Sequence, residues 1–184
     1  MQPSETDITF REVQSLRPWF LWIPFAGLAA LFVWGFVQQE WLHIPFGDRP
    51  APSFVLALLA VLMSAIGFLF HSVRLEVEID DEAIHYRFLP FIPSRRTVEA
   101  GALRSVRVRT YKPILEYGGW GFRVGFRGQG RAYTVSGDQG IQLVFKDGTR
   151  LLLGTRIPLD AERALQASAA LGALYGKGDD PPVA

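Results

Sequence analysis

The chain has 184 residues, of which 49% are hydrophobic and 20% charged, with a formal net charge of +1 and no cysteine. Disulfides, thiolate zinc sites and a cysteine nucleophile are excluded, and so mild a charge argues against a dedicated nucleic-acid binder. The length accommodates a helical hairpin of about 75 residues and one domain of about 100.

The first 16 residues carry Glu5, Asp7 and Glu12 and lack the short positive start of a cleaved signal peptide, so they read as a cytoplasmic N-terminal segment. Two apolar runs follow. The first, between Arg17 and Glu40, reads PWFLWIPFAGLAALFVWGFVQQ; the second, between Arg49 and Arg74, reads PAPSFVLALLAVLMSAIGFLFHSV. Each holds about 20 residues without a formal charge, roughly 30 Å of helix and one bilayer core. They predict a transmembrane hairpin over 17–73, with spans at about 18–38 and 51–73. Pro24 and Gly27 in the first span are tolerable in lipid. Small residues (Ala26, Gly27, Ala29 and Ala30, then Ala57, Ala60, Ser64, Ala65 and Gly67) let the helices approach closely.

Arg11 and Arg17 flank the first span, and Arg74, Arg87, Arg95 and Arg96 follow the second, whereas the connecting loop has only Arg49. This places both termini in the cytoplasm. Trp19 and Trp22 sit near one interface, Trp34 and Trp41 near the other.

After residue 73 the period changes to two. Leu75, Val77 and Ile79 alternate with Glu76 and Glu78, and Ile84, Tyr86 and Phe88 with His85 and Arg87, predicting a hairpin through Asp80, Asp81 and Glu82. Pro90 and Pro93 interrupt; a short strand over 96–99 follows, then a longer one over 103–111 with Val106 and Val108 on one face and Arg107, Arg109 and Tyr111 on the other. Phe122, Val124 and Phe126 alternate with Arg123 and Arg127. Ile141, Leu143 and Phe145 form a strand that turns at Asp147-Gly148 and returns through Leu151 and Leu153. Residues 157–176 read as one helix, capped by Asp160, striped by Leu165, Leu171 and Leu174 and stopped at Gly176; the tail 177–184 reads as disordered.

The predicted fold class is α+β: a transmembrane helical hairpin, then over 74–176 a roughly seven-stranded antiparallel, partly open barrel capped by a C-terminal helix. This architecture resembles bacterial pleckstrin-homology-like (PH-like) domains carried on two-helix membrane hairpins. The strings EYGGWGFR (116–123), YTVSGDQGIQL (133–143) and GTR (154–156) resemble those of an uncharacterised family of two-span bacterial membrane proteins. The resemblance implies the bacterial cytoplasmic membrane and a binding or scaffolding part. It brings no activity with it.

No arrangement of nucleophile, base and oxyanion donors is legible, so no catalytic residue, cofactor or metal is assigned. His43, His71 and His85 fall in three separate regions, with His85 expected to point to water. Gly125, Gly128 and Gly130 with Arg127 and Arg131 lack the following helix and Lys-Ser/Thr of a phosphate cradle, and read as a hairpin tip. The candidate binding residues are aromatic and basic. Trp120, among three glycines, either plugs the sheet or stands exposed, and Tyr117 and Arg123 flank it. Arg107, Arg109, Arg95 and Arg96 form a candidate basic patch for anionic headgroups. The expected function is a membrane-anchored, non-catalytic interaction module binding a protein partner or lipid headgroups, with self-association as a further partner and no nucleic acid. The alternative is a structural subunit of a larger membrane complex in which the hairpin is the working surface.

Overall fold

The computed structural model describes residues 9–16, 19–125 and 128–177, with 19–22 as backbone only. The expectations for Arg17, Phe126, Arg127, the extreme N-terminus, the tail beyond 177 and the Trp19 and Trp22 side chains lie outside the described residues. The chain divides into two compact units, Leu16–Val73 and a second built from what precedes and follows that segment.

The first unit contains helices α1 (Trp19–Glu40) and α2 (Ser53–Ser72). They pack antiparallel, with the Phe25 and Phe70 rings stacked at 5.7 Å. The residues of α2 that are buried are Leu56, Ala60 and Gly67, a spacing of four and seven that marks one helix face. Ser64 and Ala65, grouped with Ala60 and Gly67 by size alone, are exposed. Gly35 lies under the Phe46 ring, where a Cβ would come within 3.0 Å. Phe54, Leu58, Val61 and Phe68 face outward. Among the described residues one helix, Ser53–Ser72, is long and apolar enough to cross a membrane, where two were expected; α1 ends in Gln38, Gln39 and Glu40.

The second unit is α+β, with two sheets. The first has the order β1-β2-β3-β4, made by β1 (Phe10–Ser15), β2 (Arg74–Ile79), β3 (Ala83–Leu89) and β4 (Ile92–Glu99). Its first strand corrects the expected domain boundary at residue 74. Phe10 pairs with Ile79 and Ser15 with Arg74, so the helical pair is inserted between adjacent strands of one sheet. The strand escapes a reading by period because its inward residues, Phe10, Glu12 and Gln14, are mostly polar, while Val13 points out. β4 is longer than expected. It is an edge strand, where Pro93 is tolerated because no neighbour needs its missing N–H.

The second sheet has the order β5-β8-β9-β7-β6, from β5 (Leu103–Thr110), β6 (Gly121–Val124), β7 (Arg131–Thr134), β8 (Gln139–Phe145) and β9 (Arg150–Gly154). The β7–β9 pair is parallel, which corrects the all-antiparallel expectation, and eight of the nine described strands fall within 74–176, where roughly seven were expected. Leu75, Val77, Ile79, Ile84 and Phe88 from the first sheet and Val106, Ile141, Leu143, Leu152 and Leu153 from the second are among its most buried side chains.

Helix α4 (Pro158–Ala167) lies against β5 and β8 and buries Leu165. It is shorter than the single helix expected. The Ser168 hydroxyl donates to the Asp81 carbonyl at 2.8 Å, and the backbone turns extended there. A short 3-10 turn (Gly172–Leu174) follows, with Leu171 still in the core and Leu174 only partly covered. Pro158 occupies the first turn and Ile157 the cap position, so Asp160 is not the N-cap.

The two sheets are joined through β1. The Glu12 carboxylate accepts the Thr155 hydroxyl at 2.6 Å and the Arg156 N–H at 2.8 Å, and the Gln14 amide donates to the Gly154 carbonyl at 2.7 Å. The Arg156 guanidinium reaches the Ser15 carbonyl and the Ser136 hydroxyl. The GTR string is therefore the docking point for a strand 140 residues upstream.

Candidate interaction surface

β5 places Arg107 and Arg109 on one side of the second sheet, and Tyr111 just past its end continues the alternation, but that side is not bare. After Thr110 the chain turns through Pro113 into a short helix, α3 (Pro113–Tyr117), which folds back over it. Tyr111 and Tyr117 then cover Ala132 and Leu152, with the two rings edge to face at 6.0 Å. Burial pushes the Tyr111 hydroxyl up to about 12 and the Tyr117 hydroxyl in the same direction, so both stay protonated donors at neutral pH. They donate to the Gly137 and Gln129 carbonyls, respectively.

Arg109 is the hinge of this layer. Its guanidinium donates to Glu116 at 2.7 Å and to Gln142 at 3.0 Å, with side-chain exposures of only 12% and 5% for the Arg109–Glu116 pair. Burial raises the Glu116 carboxyl, but the hydrogen bonds from Arg109 and the Lys112 N–H outweigh it and hold the group below its ordinary range. The strings EYGGWGFR and YTVSGDQGIQL are thus tied together through one arginine.

Gly118, with φ of 71°, takes the left-handed position that ends α3, so the chain reverses and sets Trp120 beside the layer. The indole N–H donates to the Gly137 carbonyl at 2.7 Å, while the ring is 43% exposed. Trp120 is therefore neither a core plug nor a loose side chain. It is an anchored, half-exposed platform. Ile114 and Leu115, exposed on α3, belong to the same segment, and neither was legible as a surface residue in the sequence. Lys112 and Arg123 are exposed beside them, and Arg123 donates to the Trp120 carbonyl.

The candidate residues thus separate. Trp120 and Arg123 belong to an exposed aromatic and basic surface. Tyr117 and Arg109 are interior supports, which removes them from the expected basic patch. Arg107 is part-buried. Arg95 pairs with Glu78 at 2.8 Å on the outer face of the first sheet, where Arg11 also meets Glu78 and Arg87 meets Glu76. Arg96 lies opposite Tyr86 across β3 and β4, apart from Arg107 and Arg109 on the other sheet. The four arginines therefore do not make one patch.

His85 is buried, not water-facing. Its Nε2 meets the Asp80 carboxylate at 2.6 Å and its Nδ1 the Thr97 hydroxyl at 2.8 Å. Asp80 also accepts the Glu82 and Ala83 N–H groups, closing the predicted turn. Burial raises its carboxyl, and these bonds together bring it below the usual value. Among the described residues no cluster of three His, Asp or Glu side chains is arranged to hold a metal ion. No family model matches the chain, and no curated protein matches it in sequence.

Proposed function

We propose that this protein is a non-catalytic interaction module anchored in the bacterial cytoplasmic membrane. In this reading α1 and α2 form a membrane hairpin, both termini lie on the cytoplasmic side, and a PH-like two-sheet domain binds a protein partner or lipid headgroups through the surface around Trp120. The sheets and the capping helix α4 support the PH-like reading, while the parallel β7–β9 pair departs from it.

The observation that carries the proposal is the insertion of the helical pair between β1 and β2. The outer faces of these helices carry large apolar side chains, Phe68 being 71% exposed. So much contiguous apolar surface is out of keeping with water as the solvent and in keeping with hydrocarbon. An anchor leaving and re-entering through paired strands ties the domain to the bilayer by two covalent connections. Partner search is then confined to a thin layer, which raises effective concentration without new contacts. The arginines flanking the helices favour the cytoplasmic side.

The test uses the full chain in native membranes, with a photocrosslinking residue at Leu115, at Phe68 on α2, or at the exposed control Arg104. The protein is expected to resist alkaline extraction and to give a protein or phospholipid adduct from position 115 and none from 104. Release by alkali would reject the anchor. Equal adducts from 115 and 104 would reject the surface. Protein adducts from 68 alone would favour the structural-subunit alternative.

A further inference from the structure

The outer strands of the two sheets are β1, β4, β5 and β6, and the first three are closed or guarded. β5 is met by the C-terminal segment, where the Gly176 N–H donates to the Val106 carbonyl at 3.1 Å. β1 is held through Glu12 and Gln14 to the stretch from Gly154 to Arg156. β4 carries Pro93, Arg95 and Arg96, a proline and charges of the kind that discourage strand pairing. β6 has no proline, and among the described residues no segment covers it. It pairs with β7 alone.

The register fixes which backbone groups of β6 are open. The Gly125 N–H donates to the Gly130 carbonyl at 2.6 Å, so these two residues form a hydrogen-bonded pair of the β6–β7 ladder. Alternation then turns the N–H and C=O groups of Arg123 and Gly121 toward β7, and those of Phe122 and Val124 toward the free edge. The side chains alternate as well. Phe122 stacks on Tyr133 at 5.3 Å, and Tyr133 on Tyr86 of β3 at 5.4 Å, so Phe122 and Val124 stand on the face toward the first sheet. On that core-facing side Phe122 is 45% and Val124 65% exposed, because the sheet stops there. Arg123 stands on the opposite face, level with Ala132. Arg123 and Arg131 are exposed, with no carboxylate within ion-pair distance among the described residues. The acid of α3, Glu116, is already neutralised by Arg109.

We propose that an extended, acidic segment of a protein partner adds to β6 as a sixth strand of the second sheet. Phe122 and Val124 supply two N–H and two C=O groups, which is what an added strand pairs with. The partner residues opposite them are apolar and cover the two exposed side chains. The residue between, opposite Arg123, is acidic. The segment therefore alternates apolar and acidic side chains with a period of two. This deepens the reading of the Trp120 surface as protein-binding and rests on it, since Trp120 directly precedes β6.

The test titrates the peptide acetyl-SVEVEVS-amide into the full chain held in phosphatidylcholine nanodiscs, by calorimetry, with empty nanodiscs as blank. Saturable binding with a Kd below about 1 mM is expected. Methylating the valine nitrogens, which face β6, should abolish it, and methylating the glutamate nitrogens, which face solvent, should leave it within about threefold. Val124→Pro removes one edge donor and no hydrogen bond to β7, and is expected to weaken binding about tenfold. Arg123→Glu should reverse the preference toward acetyl-SVKVKVS-amide. Arg163→Gln, on the exposed face of α4, should change nothing. Unchanged amide exchange of β7 and β9 verifies the fold of each variant. No saturable binding at about 1 mM, or equal binding of the two methylated peptides, would overturn the added strand. A retained preference for glutamate in Arg123→Glu would overturn the acidic partner. Photocrosslinking separates this failure from that of the surface itself. Loss of peptide binding with protein adducts still formed from position 115 removes strand addition and leaves the Trp120 surface. Phospholipid adducts alone from 115 overturn the protein partner, and equal adducts from 115 and 104 remove the surface.

Discussion

Replacing Glu12 by Ala tests whether the strand before the helices is an integral part of the domain. Glu12 is 8% exposed and Thr155 1% exposed. The substitution strips two donors, the Thr155 hydroxyl and the Arg156 N–H, of a charged acceptor at 2.6 and 2.8 Å. Hydrogen bonds to charged groups contribute about 1.5–3 kcal/mol each, and water has little access to replace this one. Some relaxation brings the expected loss to about 3 kcal/mol for the domain. The readout is hydrogen exchange of the full chain, followed by mass spectrometry on peptides from β8 and β9. A loss of 3 kcal/mol lowers protection by about a hundredfold when opening is global. Arg11→Ala, one residue away, removes a side chain 60% exposed and its pair with Glu78, and is expected to cost under about 1 kcal/mol. If Glu12→Ala leaves β8 and β9 within threefold of wild type while β1 alone exchanges faster, the strand is an appendage and the split-domain argument fails.

Arg109→Ala leaves the Glu116 carboxylate buried without its cation and is expected to cost about 3 kcal/mol, with Arg109→Met/Glu116→Leu recovering much of it; denaturant unfolding of the domain measures both. Asp80 and Glu116 have folded-state values lowered from their ordinary ones, so each contributes stability that is complete above the ordinary value and is lost as pH falls through the folded one. Domain stability should therefore fall below about pH 4.5, and the Glu116→Gln variant should show a shallower acid slope; an identical slope would refute the assignment. Trp120→Ala is expected to lower domain stability by less than about 1 kcal/mol, because Tyr111 still donates to the Gly137 carbonyl, while abolishing adducts from position 115. Leu58→Arg puts a charge on the outward face of α2, and if hydrocarbon surrounds it the cost is about 3 kcal/mol; membrane fractionation should show reduced insertion.

Much of the architecture was legible because period and punctuation are local properties. LEVEI and its partner alternate cleanly, Asp147-Gly148 marks a tight turn, and the apolar runs are helices whatever solvent surrounds them. The candidate surface was legible only in part. Trp120 stood out through its glycines, but Ile114 and Leu115 carried no signal, since nothing local says which side of a five-residue helix faces water. Arg109 read as one of four arginines in a basic patch because the residue that neutralises it, Glu116, lies beyond a reversal of the chain that no period announces.

The sequence by itself determined the two long helices, the start of the C-terminal one and most of the strands after residue 73, because backbone geometry couples neighbouring residues at fixed spacings. Only the tertiary structure decided that Phe10–Ser15 completes a sheet beginning again at Arg74, that Thr155 donates to Glu12, and that the four arginines divide between two sheets. Those outcomes depend on contacts between residues far apart in the chain. Such a contact is chosen by the fit of whole surfaces and by the need to satisfy every buried polar group, and neither condition is written in any short stretch of residues.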